Sequence, residues 1–304
     1  MGIGILFESK EWSSYALHEN IVKMGVPAKL IDLQADHNED EILSCELIVN
    51  RIFASAVFRG HQESLSRMPG IIEALQSRNI PMINPYEAHF YEINKEQSTL
   101  ALAAHGFTVP KVYGVFVPAA INQADVIQYP CVIKPNCGGR THYTYIARNQ
   151  DELACHMKSA PDIAFLAEEY IEPEYGYLTR IEVIDRSCKL IVKRSVTENG
   201  LSAYHLGSTY TAYSDCNGSI KSAAVRAMDL LQIEAGSMDI IENRNGFYMI
   251  DINSVSNASE DNTEMFHFDL MKETAAYAVQ RYRILKESQL KQPCTKKHTF
   301  DHLY

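Results

Sequence analysis

The hydrophobic pattern of this chain changes character along its length. Up to residue 91, short apolar runs alternate with segments whose apolar positions recur at helical spacing. GIGILF, AKLIDL, CELIVNRI and IPMINP read as strands. SSYALHENIVKMG, apolar at Tyr15, Leu17, Ile21 and Met24 and stopped by Gly25, reads as a helix, and a second helix is expected to begin near Pro69. Strands and helices in alternation predict a small parallel sheet covered by helices.

After residue 91 the pattern becomes that of hairpins. YEINKEQSTLALAAHG predicts one amphipathic helix closed by Gly106, and FTVPKVYGVF an extended segment. YPCVIKPNCGGRTHYTYIAR reads as strand, glycine turn, strand, and IAFLAEEYI as a further strand. Two hairpins follow: YLTRIEVIDRSCKLIVKRSV turns at DRS, and AGSMDIIENRNGFYMIDINS turns at NRNG. Helices are expected at DELACHMKS, SIKSAAVRAMDLLQI and DLMKETAAYAVQRYRILKE, with a polar, irregular end. The fold class is therefore α/β followed by α+β. The expected division is an α/β domain over 1–91, α+β subdomains over 92–170 and 171–285, and a polar tail over 286–304.

Composition narrows the setting. The chain has 304 residues, 46% hydrophobic and 22% charged, with a formal net charge of −10. The acidic balance argues against nucleic acid as a partner. No apolar stretch approaches the roughly 20 residues of a membrane span, so no membrane is expected either. The cysteine count is odd, seven, and no CxxC occurs, which reads as reduced thiols in a cytoplasmic protein. MGIGILFESK has no basic segment before its apolar run and reads as a first strand rather than a signal peptide.

The candidate chemistry lies at strand ends. Lys134 ends CVIK and precedes Gly138, Gly139 and Arg140; it is either a phosphate-facing lysine beside a glycine turn or a surface hairpin lysine. Lys95 falls in the first turn of a helix. Glu168 and Glu169, followed by Tyr170 and Ile171, form either an edge that reads a purine or a charged linker. Asp239 ends one strand of the NRNG hairpin, and Asp251 and Asn253 end the other. Pairing around the turn puts Asp239 opposite, or nearly opposite, Asp251, an arrangement that repels unless a cation such as Mg²⁺ sits there. Arg180, Lys193 and Arg194 would face these acids and neutralise a phosphate or an oxyanion, or simply pair across strands.

Taken in order, the helix lysine, the strand-lysine-glycine turn, EEYI, the two arginines, the Asp and the Asp-x-Asn make a pattern that resembles the ATP-grasp superfamily. The nearest type is the RimK-like carboxylate–amine ligases, with the resemblance spanning roughly residues 45–285. NKEQSTLALAAHGFTVPKV, VIKPNCGGR, AEEYIEPEYGYLTRIEV and VRAMDLLQIEAGSMDIIENRNGFYMIDINSVSN carry it.

The resemblance implies an ATP-grasp fold with an N-terminal parallel α/β (pre-ATP-grasp) domain. It implies an ATP-dependent ligase that forms an amide through an acylphosphate from small carboxylate and amine substrates. A peptide or carrier protein is the alternative acceptor, and a kinase on the same fold the alternative reaction. By match, Lys95, Lys134, Gly138 and Gly139 meet the phosphates, and Glu168, Glu169, Tyr170 and Ile171 border the adenine. Asp239, Asp251 and Asn253 hold one or two Mg²⁺ ions, with Mn²⁺ as the substitute, and Arg180 and Arg194 serve the reacting centre. Leu178 falls near the place of the family's ribose-binding acid, which leaves Glu172 or Glu174 for that part. Asp251 stands where the family more often has Glu, and Leu206 near a position often basic in relatives. Tyr204 and His205 are candidates for the pocket wall, Arg51 and Arg59 for a carboxylate site. Relatives of this type commonly form homo-oligomers.

Overall fold

The computed structural model describes residues 2–35, 39–121, 124–256 and 258–291. β1 (Ile3–Phe7), β2 (Ala28–Asp32), β3 (Leu47–Arg51) and β4 (Met82–Ile83) form a parallel sheet ordered β2-β1-β3-β4. Between them run α1 (Trp12–Lys23), α2 (Glu39–Leu43) and α3 (Gln62–Ser77). β1 and β3 are buried at every position, as strands covered on both faces must be, and in β3 this includes the polar Asn50 and Arg51. Leu17 and Ile21 of α1 cluster with Ile3, Ile5, Leu47 and Val49, and Met68, Ile72 and Leu75 of α3 cluster with Leu6 and Ile48. The helix expected to begin near Pro69 starts at Gln62 and contains the proline. Its buried stripe Ser64, Met68, Ile71, Ile72 and Leu75 carries the helical path through that position.

Two antiparallel sheets follow. β5 (Val112–Phe116), β6 (Cys131–Pro135), β7 (Tyr145–Ala147) and β8 (Phe165–Glu169) are ordered β5-β8-β6-β7. β9 (Tyr177–Ile184), β10 (Ser187–Ser195), β11 (Tyr210–Ala212), β12 (Ala235–Asn243) and β13 (Gly246–Asn253) are ordered β11-β10-β9-β12-β13. The remaining helices are α4 (Tyr86–Glu92), α5 (Lys95–Ala104), α6 (Pro118–Ile121), α7 (Gln150–Met157), α8 (Gly218–Leu230), α9 (Glu260–Phe266) and α10 (Leu270–Lys291). The one helix expected over 91–106 is thus two. Asn94 leaves helical dihedrals and accepts the Gln97 N–H with its side chain, so it caps α5 and makes Lys95 that helix's first residue. α10 continues past 286 to Lys291; Cys294 and the rest of 292–304 lie outside the described residues. No helix among the described residues is long and apolar enough to cross a membrane.

Both long hairpins turn where their sequences place the turn. Asp185 and Arg186 take positive φ, +50° and +57°, between the paired Ile184 and Ser187, matching strand twist. Arg244 and Asn245 connect the paired Asn243 and Gly246. In the second hairpin the register passes from Asp239↔Asp251 to Ile240↔Met249, so Ile250 is one residue extra on β13. A bulge of this kind bends the strand, here beside the acid pair. Gly236 sits next to this end of the hairpin. A Cβ there would lie 2.2 Å from the Asn253 carbonyl oxygen, which is backbone and has nowhere to go. Gly236→Ala is expected to destabilise by about 1–3 kcal/mol, the cost of overpacking, read as a lower urea midpoint.

Asn84, buried after β4 and at φ +57°, ties the parallel sheet to the five-stranded one. Its Nδ2 donates to the Ala235 carbonyl at 2.7 Å and to that of Ser254, and its Oδ1 accepts the N–H groups of Glu234 and Ala235 at 2.8 and 3.1 Å. Nearby on α4, His89 is buried. Its Nδ1 lies 3.3 Å from Asn50 Nδ2, and its Nε2 has no partner among the described residues. Burial pushes its pKa down to about 4 from the ordinary 6.5. The unfolded chain therefore binds this proton first, so the contribution is full above pH 6.5 and is lost as pH falls toward 4. His89→Gln is expected to flatten that limb of the stability–pH curve, measured by urea unfolding across the window.

Candidate active site

Two linked cavities lie between the antiparallel sheets. The smaller, 150 Å³, is lined by the charged Lys95, Lys134 and Glu168 and by the apolar Ile171, Leu178 and Ile241. The larger, 380 Å³, shares Gly139, Arg194, Asp239 and Asp251 with it and extends over β9 and β10 toward α9. The sharing residues mark where the cavities join.

Each charged group there has a partner that fixes it. Lys95 Nζ reaches Asp251 Oδ1 at 2.5 Å. Its helix start is pinned to the glycine turn: Asn136 accepts the Lys95 N–H with its carbonyl and the Glu96 N–H with its side chain. Burial alone would lower the Lys95 pKa, but the Asp251 charge and hydrogen bond raise it above the ordinary value. Burial alone would raise Asp251, yet Lys95, Lys134 and Arg180 hold it below the usual carboxylate range. Lys134 Nζ lies 2.6 Å from Glu168 Oε1 and donates to the Ile250 carbonyl at 2.9 Å. Burial pushes Glu168 up despite that lysine, and its Oε2 is buried with no hydrogen-bond partner among the described residues.

The acidic end is built by register. Asp239 and Asp251 stand directly opposite each other, and Asn253 stands opposite Ser237. Arg180, opposite Asp239 on β9, donates to Glu182 at 2.8 Å and to Ser237 Oγ at 2.5 Å, with Asp239 at 3.4 Å. Arg194 of β10 donates to Asp239 Oδ2 at 2.9 Å, and its buried Nε has no partner among the described residues. Burial would lower Arg180, and the charges of Asp239 and Glu182 raise it instead.

The glycine turn closes over both cavities. A Cβ on Gly138 would lie 2.6 Å from a Phe58 ring carbon, so only glycine lets the turn rest on that ring. His142 and Tyr143 also face Phe58, with centroids 5.9 and 5.3 Å away. Arg140 pairs with Glu11, which Arg59 also holds at 2.7 Å. Across the mouth, Thr141 Oγ1 lies 3.4 Å from His205 Nε2, and His205 lines the larger cavity.

Several sequence-derived expectations need revision. Glu174, a candidate for the ribose, is exposed and bonded to Arg244 in the β12–β13 turn. Neither it nor the exposed Glu172 lines the smaller cavity, which Leu178 does. Lys193 does not join Arg180 and Arg194: its Nζ sits 4.4 and 4.0 Å from the Tyr177 and Tyr213 ring centroids, because alternate residues of β10 point to opposite faces. Arg51 is buried on Ser13 Oγ and the Ser256 carbonyl, and Arg59 is held by Glu8 and Glu11. Glu169 lines the smaller cavity, but its carboxylate accepts the Lys111 N–H at 3.1 Å.

Two acids escaped the sequence reading. Glu92 ends α4, lines the larger cavity and accepts the N–H groups of Ala54 and Ser254, at 3.2 and 2.6 Å. Glu182 bridges Arg180 and Ser256 Oγ, the latter at 2.5 Å. Glu182 is two residues from Arg180 and so on its face, a signal that was available; Glu92 is brought in by contacts distant in sequence.

The family model of the RimK-like ATP-grasp domain matches residues 93–277. The chain belongs to the RimK-like ATP-grasp family. The expected class, an ATP-dependent ligase forming C–N bonds, is that of its relatives. A probable alpha-L-glutamate ligase of Pasteurella multocida is 21% identical over 226 residues, covering 72% of this chain and 68% of that protein. A RimK-domain ATP-grasp protein of Sphaerobacter thermophilus superposes with a TM-score of 0.66 at 19% identity, over 91% of this chain and 99% of that one. The ATP-grasp ligase PsnB, complexed with a precursor variant, Mg and ADP, gives 0.66 at 15% identity, over 92% and 98%. The expected ATP-grasp fold is thereby borne out, and ligases of this fold use ATP with Mg²⁺.

Proposed function

We propose that the smaller cavity takes the nucleotide of ATP and the larger one the carboxylate and amine that are joined, with an amino acid or peptide as donor. The observation that carries this reading is the meeting of Lys95, Lys134 and Asp251 beneath Gly138 and Gly139, where the cavities join. The apolar cluster of Ile171, Leu178 and Ile241 suits an adenine, bordered by Glu169 and Tyr170. Glu168 Oε2, buried and unpartnered among the described residues, is an acceptor for its exocyclic amine.

Asp239, in the middle of β12 rather than at its end, and Asp251 and Asn253 on the neighbouring β13 are hard oxygen donors, the donor set that Mg²⁺ prefers. One or two Mg²⁺ ions held there, with Mn²⁺ the substitute, would offset phosphate charge during transfer.

The chain's own residues account for the remaining tasks. Lys95 and Lys134 hold the terminal phosphates while a donor carboxylate oxygen attacks the γ-phosphorus and ADP leaves. The acylphosphate is then attacked at its carbonyl carbon by the amine. Arg180 and Arg194 face the oxyanion that forms, and phosphate departs as the nitrogen loses its proton. The division into 1–91, 92–170 and 171–285 accords with this assignment, because each span contains one sheet. Six unpaired cysteines among the described residues suit a reducing, cytoplasmic setting.

The test combines ATP and Mg²⁺ with acids and amines, and with hydroxylamine as a trap. Without hydroxylamine a ligase releases phosphate only with both substrates present, and with hydroxylamine in place of the amine it forms a hydroxamate from the acid alone. Phosphate carried onto a hydroxyl, without hydroxamate, would establish a kinase instead.

A further inference from the structure

The sheet face that looks into the 380 Å³ cavity is graded from one edge to the other. Leu190 and Val192 of β10 stand opposite Glu182 and Arg180 of β9. Those stand opposite Ser237 and Asp239 of β12, which in turn face Asn253 and Asp251 of β13. Directly paired residues share a face. From β10 to β13 the face therefore runs from hydrocarbon, to a salt-bridged pair, to a carboxylate with a hydroxyl, to a carboxylate with an amide. All of these except Ser237 line the cavity.

The hydrocarbon side continues beyond the sheet. Val255, Phe266, Phe268 and Leu270 complete the wall that Leu190 and Val192 begin. Val192, Val255 and Leu270 are buried, while Leu190, Phe266 and Phe268 are half-buried. No lysine, arginine or histidine stands in this wall. The guanidinium groups elsewhere around the cavity are ion-paired: Arg180 with Glu182 and Asp239, Arg194 with Asp239 though its Nε has no hydrogen-bond partner among the described residues, and Arg140 with Glu11.

An acid whose reacting carboxylate lies beside Arg180 must send its substituent away from the Asp239–Asp251 end. Along the register that direction leads over Val192 and Leu190. A carboxylate side chain placed there would lose its water and find no cation within the wall, the next cation along β10 being Arg194, already paired with Asp239, whereas a hydrocarbon gains by leaving water. We propose that the acyl donor carries a large apolar side chain, branched or aromatic, seated on this wall, and is not an acidic amino acid. The inference rests on the ligase reading and specifies its donor.

Hydroxamate formation separates the two, because hydroxylamine replaces the amine and the assay reports the donor alone. Leucine, phenylalanine, methionine and their dipeptides are compared with glutamate, aspartate and citrate, each with ATP and Mg²⁺. The apolar acids are expected to exceed the acidic ones in kcat/KM by tenfold or more, at about 10–200-fold per apolar group recognised. Leu190→Lys and Phe268→Lys, each at a half-buried position, are expected to move that ratio toward the acidic donors. ADP binding by calorimetry, at a cavity neither residue lines, reports that each variant is folded. Hydroxamate with acidic donors only, or an unmoved ratio in both folded variants, overturns the inference and leaves the ligase standing. No hydroxamate with any acid overturns the ligase reading, and this inference with it.

Discussion

Asp251→Asn is expected to lower kcat by about 10²–10³, the scale of removing one preorganised charge partner at a reacting centre, with ADP still bound. The substitution keeps the shape and one acceptor oxygen but removes the charge that Lys95 meets at 2.5 Å. In the free protein the two hold each other: the acid lies below its ordinary pKa and the lysine above. With asparagine, Lys95 loses its nearest counter-charge, and the site proposed for Mg²⁺ keeps Asp239 as its only carboxylate. Asp251→Glu restores the charge on a side chain one methylene longer and should recover part of the rate. Steady-state ADP release with a Mg²⁺ titration decides the matter. Wild-type turnover in Asp251→Asn would remove Asp251 from the reacting centre.

Lys134→Met is expected to cost about 3–5 kcal/mol of stability, the range found when one partner of a buried ion pair is removed. Glu168 would remain buried with neither oxygen paired to a cation, since Oε2 already has no partner among the described residues. Its pKa is already raised by burial and would climb further without the lysine. A carboxyl with a raised folded pKa binds its proton more tightly folded than unfolded. The loss in Lys134→Met should therefore grow as pH rises through the unfolded value. Adding Glu168→Gln should return much of the stability without returning activity. Denaturation of both single variants and the double variant gives the coupling energy; a coupling near zero would show that the two side chains do not depend on each other.

The chemistry was most legible where it depended on local rules. NRNG specified its turn, and the place of Lys95 in a helix's first turn followed from nearby residues, but the direct facing of Asp239 and Asp251 needs the extra residue Ile250, which no local rule announced. Reading failed where a side chain's direction depends on what lies across the fold. Glu174 has the right charge at nearly the right distance from Glu169, but the loop turns it toward Arg244. Lys193 and Arg194 look interchangeable in sequence, and strand alternation sends them to opposite faces. β11 and α9 are too short to show a period. Glu92 belongs to the cavity only because the segments around Ala54 and Ser254 converge on it.

Asn84 bears on how the molecule comes apart. Its amide spends its hydrogen-bonding capacity on backbone groups at Glu234, Ala235 and Ser254, on a sheet far away in the chain. If the parallel sheet melted alone, those groups would be left without partners at the strand ends next to the acid pair. Melting of the parallel sheet and of the five-stranded sheet should accordingly coincide in one heat-absorption peak, the mark of a cooperative unit that joins the two.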